Sequence, residues 1–510
     1  MLSLRLFAAS FLSVTLLSAS ALAQSDAEKT LRIVAPWEIG GLDPARSGYI
    51  FSRLGVTETL ITADAQGRPL PSLASRWTVS PDGLVWRFDL QKGARFHDGS
   101  PVTAEAVAAS LERSRKAPAI LTNVPVSAIR AEEGAVIIST STPFRSLPAF
   151  LAHYSTMILS QSSFGADGSV IGIIGTGPYR VASITPPLAI ETERFDGWWG
   201  GRPAIARVAY QAAGRGETRA AMAEGGQADI VYLLAPETVD RLKRQPRLSV
   251  SVQPIPRVRT LKVNAASPYF SDVRVRQALS FAIDRQGIAT ALLRSPQSAA
   301  TQLFPPSLAD WHGQDLKPLT YDPAVAAQLL DEAGWKTGAD GIRSRDGVSF
   351  SVTLRTFSDR PELPPVATAL QAQFRAVGID MKVAIMNSGE IPAGHRDGTL
   401  QMGLAARNFS LVPDPLGTLL QDFGPQGGDW GAMGWKNDDL IAAMSALSSE
   451  GDEAVRASLR QRIGTILQAE LPVIPVAWYD YSVAVNRRVS GVVIDPLEIS
   501  YNIERMTWAD

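Results

Sequence analysis

Apolar and polar positions alternate with a period of two between Val85 and Leu90. Trp86, Phe88 and Leu90 share one side; Val85, Arg87 and Asp89 share the other. With the turn residues Ser80-Pro81-Asp82-Gly83 before it, the block from Trp77 to Leu90 predicts a hairpin with one buried face. Leu31 to Ala35 predicts a short strand closed by Pro36. Further strands are predicted at Val136–Ser139, from the turn Gly175–Arg180 to about Glu193, and at Ile205–Tyr210, Asp229–Tyr232, Leu248–Val252, Thr260–Val263, Phe350–Phe357, Ile379–Val383, Val473–Tyr479 and Ser482–Val485. Helical spacing appears at Ala104–Arg113, where Thr103 can cap the first turn, and at Val273–Ala282, where Val275, Leu279 and Ala282 share a face. It recurs at Thr218–Glu224, Pro323–Ala333 (stopped by Gly334), Pro365–Val377, Asp438–Leu447 and Glu453–Glu470, while residues 49–61 predict a helix or a strand–helix edge. Strands and helices in alternation predict an α/β fold on partly parallel sheets.

A chain of 510 residues exceeds one compact core, so two or more lobes are expected. Residues 1–23 read as an export signal. Arg5 precedes an apolar stretch from Leu6 to Leu17, and Ala21-Leu22-Ala23 offers the small-x-small pattern cut before Gln24. Cysteine is absent, which rules out disulfides and a cysteine-linked lipid anchor; the expectation is a freely soluble, monomeric periplasmic protein. Lys plus Arg is 49 against 50 for Asp plus Glu, a balance that argues against a nucleic-acid partner. His97, His153, His312 and His395 are scattered and form no zinc motif, so no metal site or cofactor is expected. The glycines from Gly165 to Gly177 make neither a phosphate loop nor a dinucleotide fingerprint, and no G-x-S-x-G elbow occurs. The motifs give an enzyme hypothesis no support, and no catalytic residues are assigned. The rival classes to a binding protein are an exported hydrolase with paired carboxylates and a secreted adhesive module.

Candidate ligand contacts come from aromatic residues set among Gly, Pro and polar residues in loops: Tyr49, Phe409, Trp430 and Trp435. Arg407 and Asp414 flank a strand-to-loop exit, where an arginine suits a carboxylate and an aspartate suits an ammonium. An internal ion pair or helix cap is the plainer alternative for both. Asp43 and His97 read as turn residues.

The run Leu73-Ala74-Ser75-Arg76-Trp77, Ser80–Gly83, Trp86-Arg87-Phe88, Gly93–Gly99 and Pro101–Ser110 resembles the large solute-binding proteins of ABC importers, the peptide, nickel and opine group. Gly175–Arg180, Asn264 with Asp272–Leu279, Ala282–Arg285 and Tyr321–Trp335 extend the resemblance over the mature chain. It implies a two-lobed periplasmic-binding-protein-like fold with a hinged ligand cleft and an inserted subdomain in lobe I. The implied organisation is lobe I at 24–75, 191–264 and 481–510, the inserted subdomain at 76–190 and lobe II at 265–480. The implied partners are a small solute and a membrane ABC permease. Resemblance to nickel-binding relatives places Met157 where an arginine holds a metal chelate, with Arg145 as a nearby substitute, and finds no histidine after Asp414-Pro415. Phe409 and Arg407 match cleft residues of those relatives, and Asp414 matches the aspartate with which peptide-binding relatives hold an amino terminus. A short peptide or amino-acid conjugate is the first expectation for the solute; a nickel or other metal chelate is the alternative, then an opine or sugar.

Overall fold

A computed structural model describes residues 30–117, 119–425 and 427–509. The export signal at 1–23 lies outside the described residues. Ten strands form one large sheet. In chain order they are β1 (Thr30–Ala35), β2 (Tyr179–Thr185), β3 (Ala189–Arg194), β4 (Arg207–Ala212), β5 (Ile230–Tyr232), β6 (Leu248–Val263), β7 (Ser351–Phe357), β8 (Asp380–Met386), β9 (Met402–Asn408) and β10 (Val473–Asn486). Their order across the sheet is β8-β7-β9-β6-β10-β5-β1-β4-β3-β2. β1 runs parallel to β4 and β5, and β7 runs parallel to β8 and β9, so each end of the sheet has its own parallel nucleus.

The two ends bury different cores. Leu31, Ile33, Tyr210, Tyr232 and Tyr481 belong to one; Leu261, Val352, Leu354, Leu370 and Ile474 belong to another. These are the two lobes, and β6 and β10 pass from one to the other as an antiparallel pair. Ile255 packs in the first core and Leu261 in the second; Ile474 and Tyr481 make the reverse passage. The pairing register slips between Ile255 and Val258 and again between Arg259 and Thr260. Pro254 and Pro256 withhold two amide donors beside the first slip. The prolines and the register slips thin the ladder where the strands cross between the lobes. The sequence predicted two broken strands in each case. One strand of 16 residues and one of 14 are found instead; in the first, a register slip accommodates Pro254 and Pro256 without ending the ladder, and in the second Asp480 and Tyr481 pair in register with Pro254 and Gln253.

The predicted hairpin is present as Ala74–Val79 paired with Val85–Leu90, inside a separate four-stranded sheet with its own core under the helix Ala104–Lys116. Thr103 caps that helix by accepting from the amide of Ala106. The strand predicted from Gly175 to Glu193 is two strands, β2 and β3, and both join the large sheet. We propose that the inserted subdomain ends before Tyr179 and not at 190. Gly175 and Gly177 leave no room for a side chain: a Cβ would sit 2.2 Å from the carbonyl oxygens of Val56 and Gly55 respectively. That close approach accounts for glycine in this turn.

Glu58 stands where the subdomain meets lobe I. The indoles of Trp198 and Trp199 each donate to one of its carboxylate oxygens at 3.1 Å. Burial raises this carboxyl to about 7, although the two indole bonds oppose the rise. The folded chain therefore keeps a proton on Glu58 that the unfolded chain loses above about pH 4.5. This contribution to stability is complete below pH 4.5 and is lost as pH climbs to 7. Glu58→Gln removes the titration, so its melting temperature should fall less than that of the wild type between pH 4.5 and 8, by about 4 °C. Parallel melting curves across that range would refute the assignment.

Candidate functional site

A cavity of about 600 Å³ lies between the lobes, beside the crossing strands. Lobe I contributes Trp37 and Glu38, which follow β1, and Tyr49 and Arg53 from the helix Pro44–Arg53. Lobe II contributes Phe357 to Arg360 after β7, Asn387 and Ser388 after β8, and Ala406 to Asn408 at the end of β9. In α/β folds, ligand sites gather at the carboxyl ends of parallel strands, and β1, β7 and β8 all deliver residues there.

Guanidinium groups dominate its chemistry. Arg53 and Arg257 share the fully buried carboxylate of Glu498, with Arg53 at 3.6 Å and Arg257 in direct hydrogen-bond contact. Asn408 donates to the same carboxylate at 2.7 Å, and Arg53 also donates through Nε to the Glu498 carbonyl at 2.8 Å. Asp495 shapes the loop behind them by accepting from the amides of Leu497, Ile499 and Ser500. Glu498 does not satisfy the two guanidiniums, and its own Oε1 has no hydrogen-bond partner. Nη1 of Arg53 and both Nε and Nη1 of Arg257 are buried without a hydrogen-bond acceptor. Burial holds Arg257 below the usual guanidinium range, and the like charge of Arg360 pushes the same way against the pull of Glu498. Arg53 is lifted instead, because Glu498 and neighbouring tyrosines outweigh its burial. The face of Arg53 lies over the Trp37 ring at 4.1 Å.

Arg407 forms a fork with Asp422 at 2.6 and 2.7 Å and reaches Gln421 at 2.9 Å, so three of its donor contacts are satisfied internally. Behind it, Lys262 contacts His395 Nδ1 at 2.5 Å and the Asp429 carbonyl at 2.6 Å. Burial lowers Lys262 to about 7, with Asp422 and Asp429 resisting. This network fixes the backbone that presents Trp430 to the cavity.

The structure sorts the sequence candidates. Tyr49, Arg407 and Trp430 line the cavity. Met157 does not: it is buried in the lobe I core beneath Gly48, whose Cβ would meet its methyl carbon at 2.5 Å. Phe409 is also core, edge-on to Phe304 at 5.4 Å, because the residue after β9 turns inward. Asp414 accepts from Ser146 Oγ at 2.7 Å and from the amide of Leu416 at 3.0 Å at the start of the helix Leu416–Phe423, and it does not line the cavity. Trp435 packs against Phe423 and directs its indole to Glu470 at 3.5 Å. Arg145 bonds through its amide to the Ser448 carbonyl at 2.7 Å and does not line the cavity. Sequence reasoning missed Arg53, Arg257 and Arg360. The available signal was Arg257-Val258-Arg259 flanked by Pro256 and apolar residues, an unusual density of charge in a strand that must be buried.

Residues 68–430 match the family model of bacterial extracellular solute-binding proteins, family 5, middle region. The nickel-binding periplasmic protein of Escherichia coli K12 is 28% identical over 492 residues, 92% of this chain and 93% of that protein. The glutathione-binding protein GsiB of Salmonella choleraesuis is 29% identical over 327 residues, 62% of this chain and 61% of that protein. The crystal structure of NikA from Brucella suis in complex with Fe(III)-EDTA superposes with a TM-score of 0.83 at 25% identity, covering 94% of this chain and 100% of that one.

Proposed function

The chain belongs to the family 5 bacterial extracellular solute-binding proteins, and from that premise we propose that its solute is a small polyanion, foremost a metal ion carried in a multi-carboxylate chelate. The family role is the periplasmic solute-binding component of an ABC importer, which delivers its solute to a membrane permease and catalyses nothing. A short peptide stood first in the sequence reading. The chelate is better supported, since relatives named for nickel or crystallised with metal complexes stand among the most similar.

The observation that carries the proposal is the set of guanidiniums that line the cavity, Arg53, Arg257 and Arg360, with the carboxylate of Glu498 shared by the first two. Guanidiniums pair with carboxylates through charge-assisted hydrogen bonds, so the carboxylate oxygens of a solute suit this wall. Among the described residues no cluster of three or more His, Cys, Asp or Glu could hold a metal ion. A metal cargo would thus be recognised through the charge of its chelator. A peptide or amino-acid conjugate remains the second reading, favoured by Glu38 and Asp359 on the cavity rim, either of which suits an ammonium group.

Calorimetry on the mature protein separates these readings. The nickel–EDTA dianion should bind, while nickel ion alone should give no heat beyond dilution. Trialanine should bind at least tenfold more weakly than the chelate. Tighter binding of trialanine would transfer the assignment to peptides, and equal binding of bare nickel would refute recognition through the chelator.

A further inference from the structure

Arg360 is the guanidinium that lobe II extends into the cavity from the loop after β7. Its one protein hydrogen bond among the described residues goes from Nη1 to the hydroxyl of Tyr479 at 3.3 Å. Tyr479 lies in the crossing strand β10, and three cations gather on its ring: Arg259 at 4.0 Å, Arg257 at 5.1 Å and Arg360 at 5.6 Å. Arg259 is matched by Glu362 at 3.4 Å. Arg407 is matched by Asp422. Arg53 and Arg257 have only Glu498 between them. Arg360 makes no ion pair within 4.0 Å among the described residues, although Glu362 and Glu498 are near enough to favour its charged form. On the lobe I side the Arg53–Arg257 pair carries one more positive charge than Glu498 offsets, and on the lobe II side Arg360 stands without a close ion-pair partner, while Glu38 and Asp359 lie on the cavity rim.

We propose that Arg360 is the lobe II arm of a dianion clamp: a solute with two separated negative charges bridges Arg53 and Arg257 to Arg360, and this bridge sets solute specificity and holds the lobes together. The proposal deepens the polyanion reading above and rests on it. Two like charges facing each other across the crossing strands favour separation of the lobes. A dianion reverses that preference, because it is attracted to both sides; a monoanion can satisfy one side only. Tyr479 acts as a positioning residue, holding the guanidinium of Arg360 toward the cavity through its hydroxyl. Recognition by paired charges also makes the identity of the enclosed metal secondary to the net charge of the complex.

The test compares two nickel chelates of similar size, the EDTA dianion and the nitrilotriacetate monoanion, by calorimetry on the mature protein. Wild type should favour the dianion by about tenfold or more. R360Q should lose about tenfold in affinity for the dianion and less than twofold for the monoanion, so the preference collapses. R360K should recover part of it, and Y479F should fall between wild type and R360Q. Small-angle scattering should show the wild type contracting with the dianion and R360Q contracting less. A general folding lesion would weaken both chelates together, and that result in R360Q and R360K alike would overturn the clamp. Unchanged dianion affinity in R360Q would overturn it as well. Binding of neither chelate by wild type would remove the polyanion reading itself, an outcome distinct from loss of the Arg360 role.

Discussion

Replacing Arg257 with methionine is expected to raise the dissociation constant for the nickel–EDTA dianion by about 100-fold while leaving the melting temperature unchanged or slightly higher. The two effects have opposite signs for one reason. Truncating one partner of a buried, hydrogen-bonded charge pair costs about 2–5 kcal/mol in binding. Arg257 presents two buried N–H groups that nothing in the protein accepts. In the empty protein those donors are a burden, and Arg360 adds like-charge repulsion to it. Methionine fills similar volume and removes both penalties, while Glu498 keeps Arg53 and Asn408 as partners. Calorimetry and thermal denaturation on the same preparation check the pair of outcomes. Unchanged chelate affinity would show that Arg257 is only a structural cation. A large fall in melting temperature would show that its orphaned donors are met by solvent.

Most elements were legible in the sequence because each rests on local pattern, whereas the two lobes were expected from chain length and the family resemblance. Alternation from Val85 to Leu90 gave the hairpin, and Thr103 marked the start of its helix. What escaped is what depends on the two crossing strands. Pro254 and Pro256 fall in the gap between the predicted strands Leu248–Val252 and Thr260–Val263, yet each lies within a strand whose pairing continues on both sides. Only tertiary context, with a register slip beside them, makes that possible. The site was legible only in part for a related reason. Tyr49, Arg407 and Trp430 stood out as polar or aromatic residues in loops, and they do reach the cavity. Asp414 and Phe409 stood out equally, but one starts a helix and the other follows the inward side of β9. Arg53 lay within the predicted segment 49–61 with no local pattern to single it out. Its partner Glu498 is 445 residues away in the chain, and no local pattern could join them.

Glu498 carries the second large effect. Its carboxylate is shared by two buried guanidiniums, and its backbone is held at φ 62°, a left-handed conformation uncommon for a side chain of its size. A loop accepts that conformation when the surroundings fix it, and Asp495 supplies three hydrogen bonds that do so. Glu498→Gln keeps the shape and removes the charge. Arg53 and Arg257 are then left uncompensated in a buried setting, and stability should fall by about 3–5 kcal/mol. The loss should concentrate where lobe I meets β6 and β9, since Asn408 and Arg257 both reach Glu498 from there. An added polyanion can replace the missing counter-charge. The nickel–EDTA dianion should therefore raise the melting temperature of Glu498→Gln more than that of wild type at equal saturation. Thermal denaturation with and without the chelate measures both quantities. Equal shifts in the two proteins would mean that the chelate does not sit on the Arg53–Arg257 pair, and a stability loss under about 1 kcal/mol would mean that water already shares the charge with Glu498.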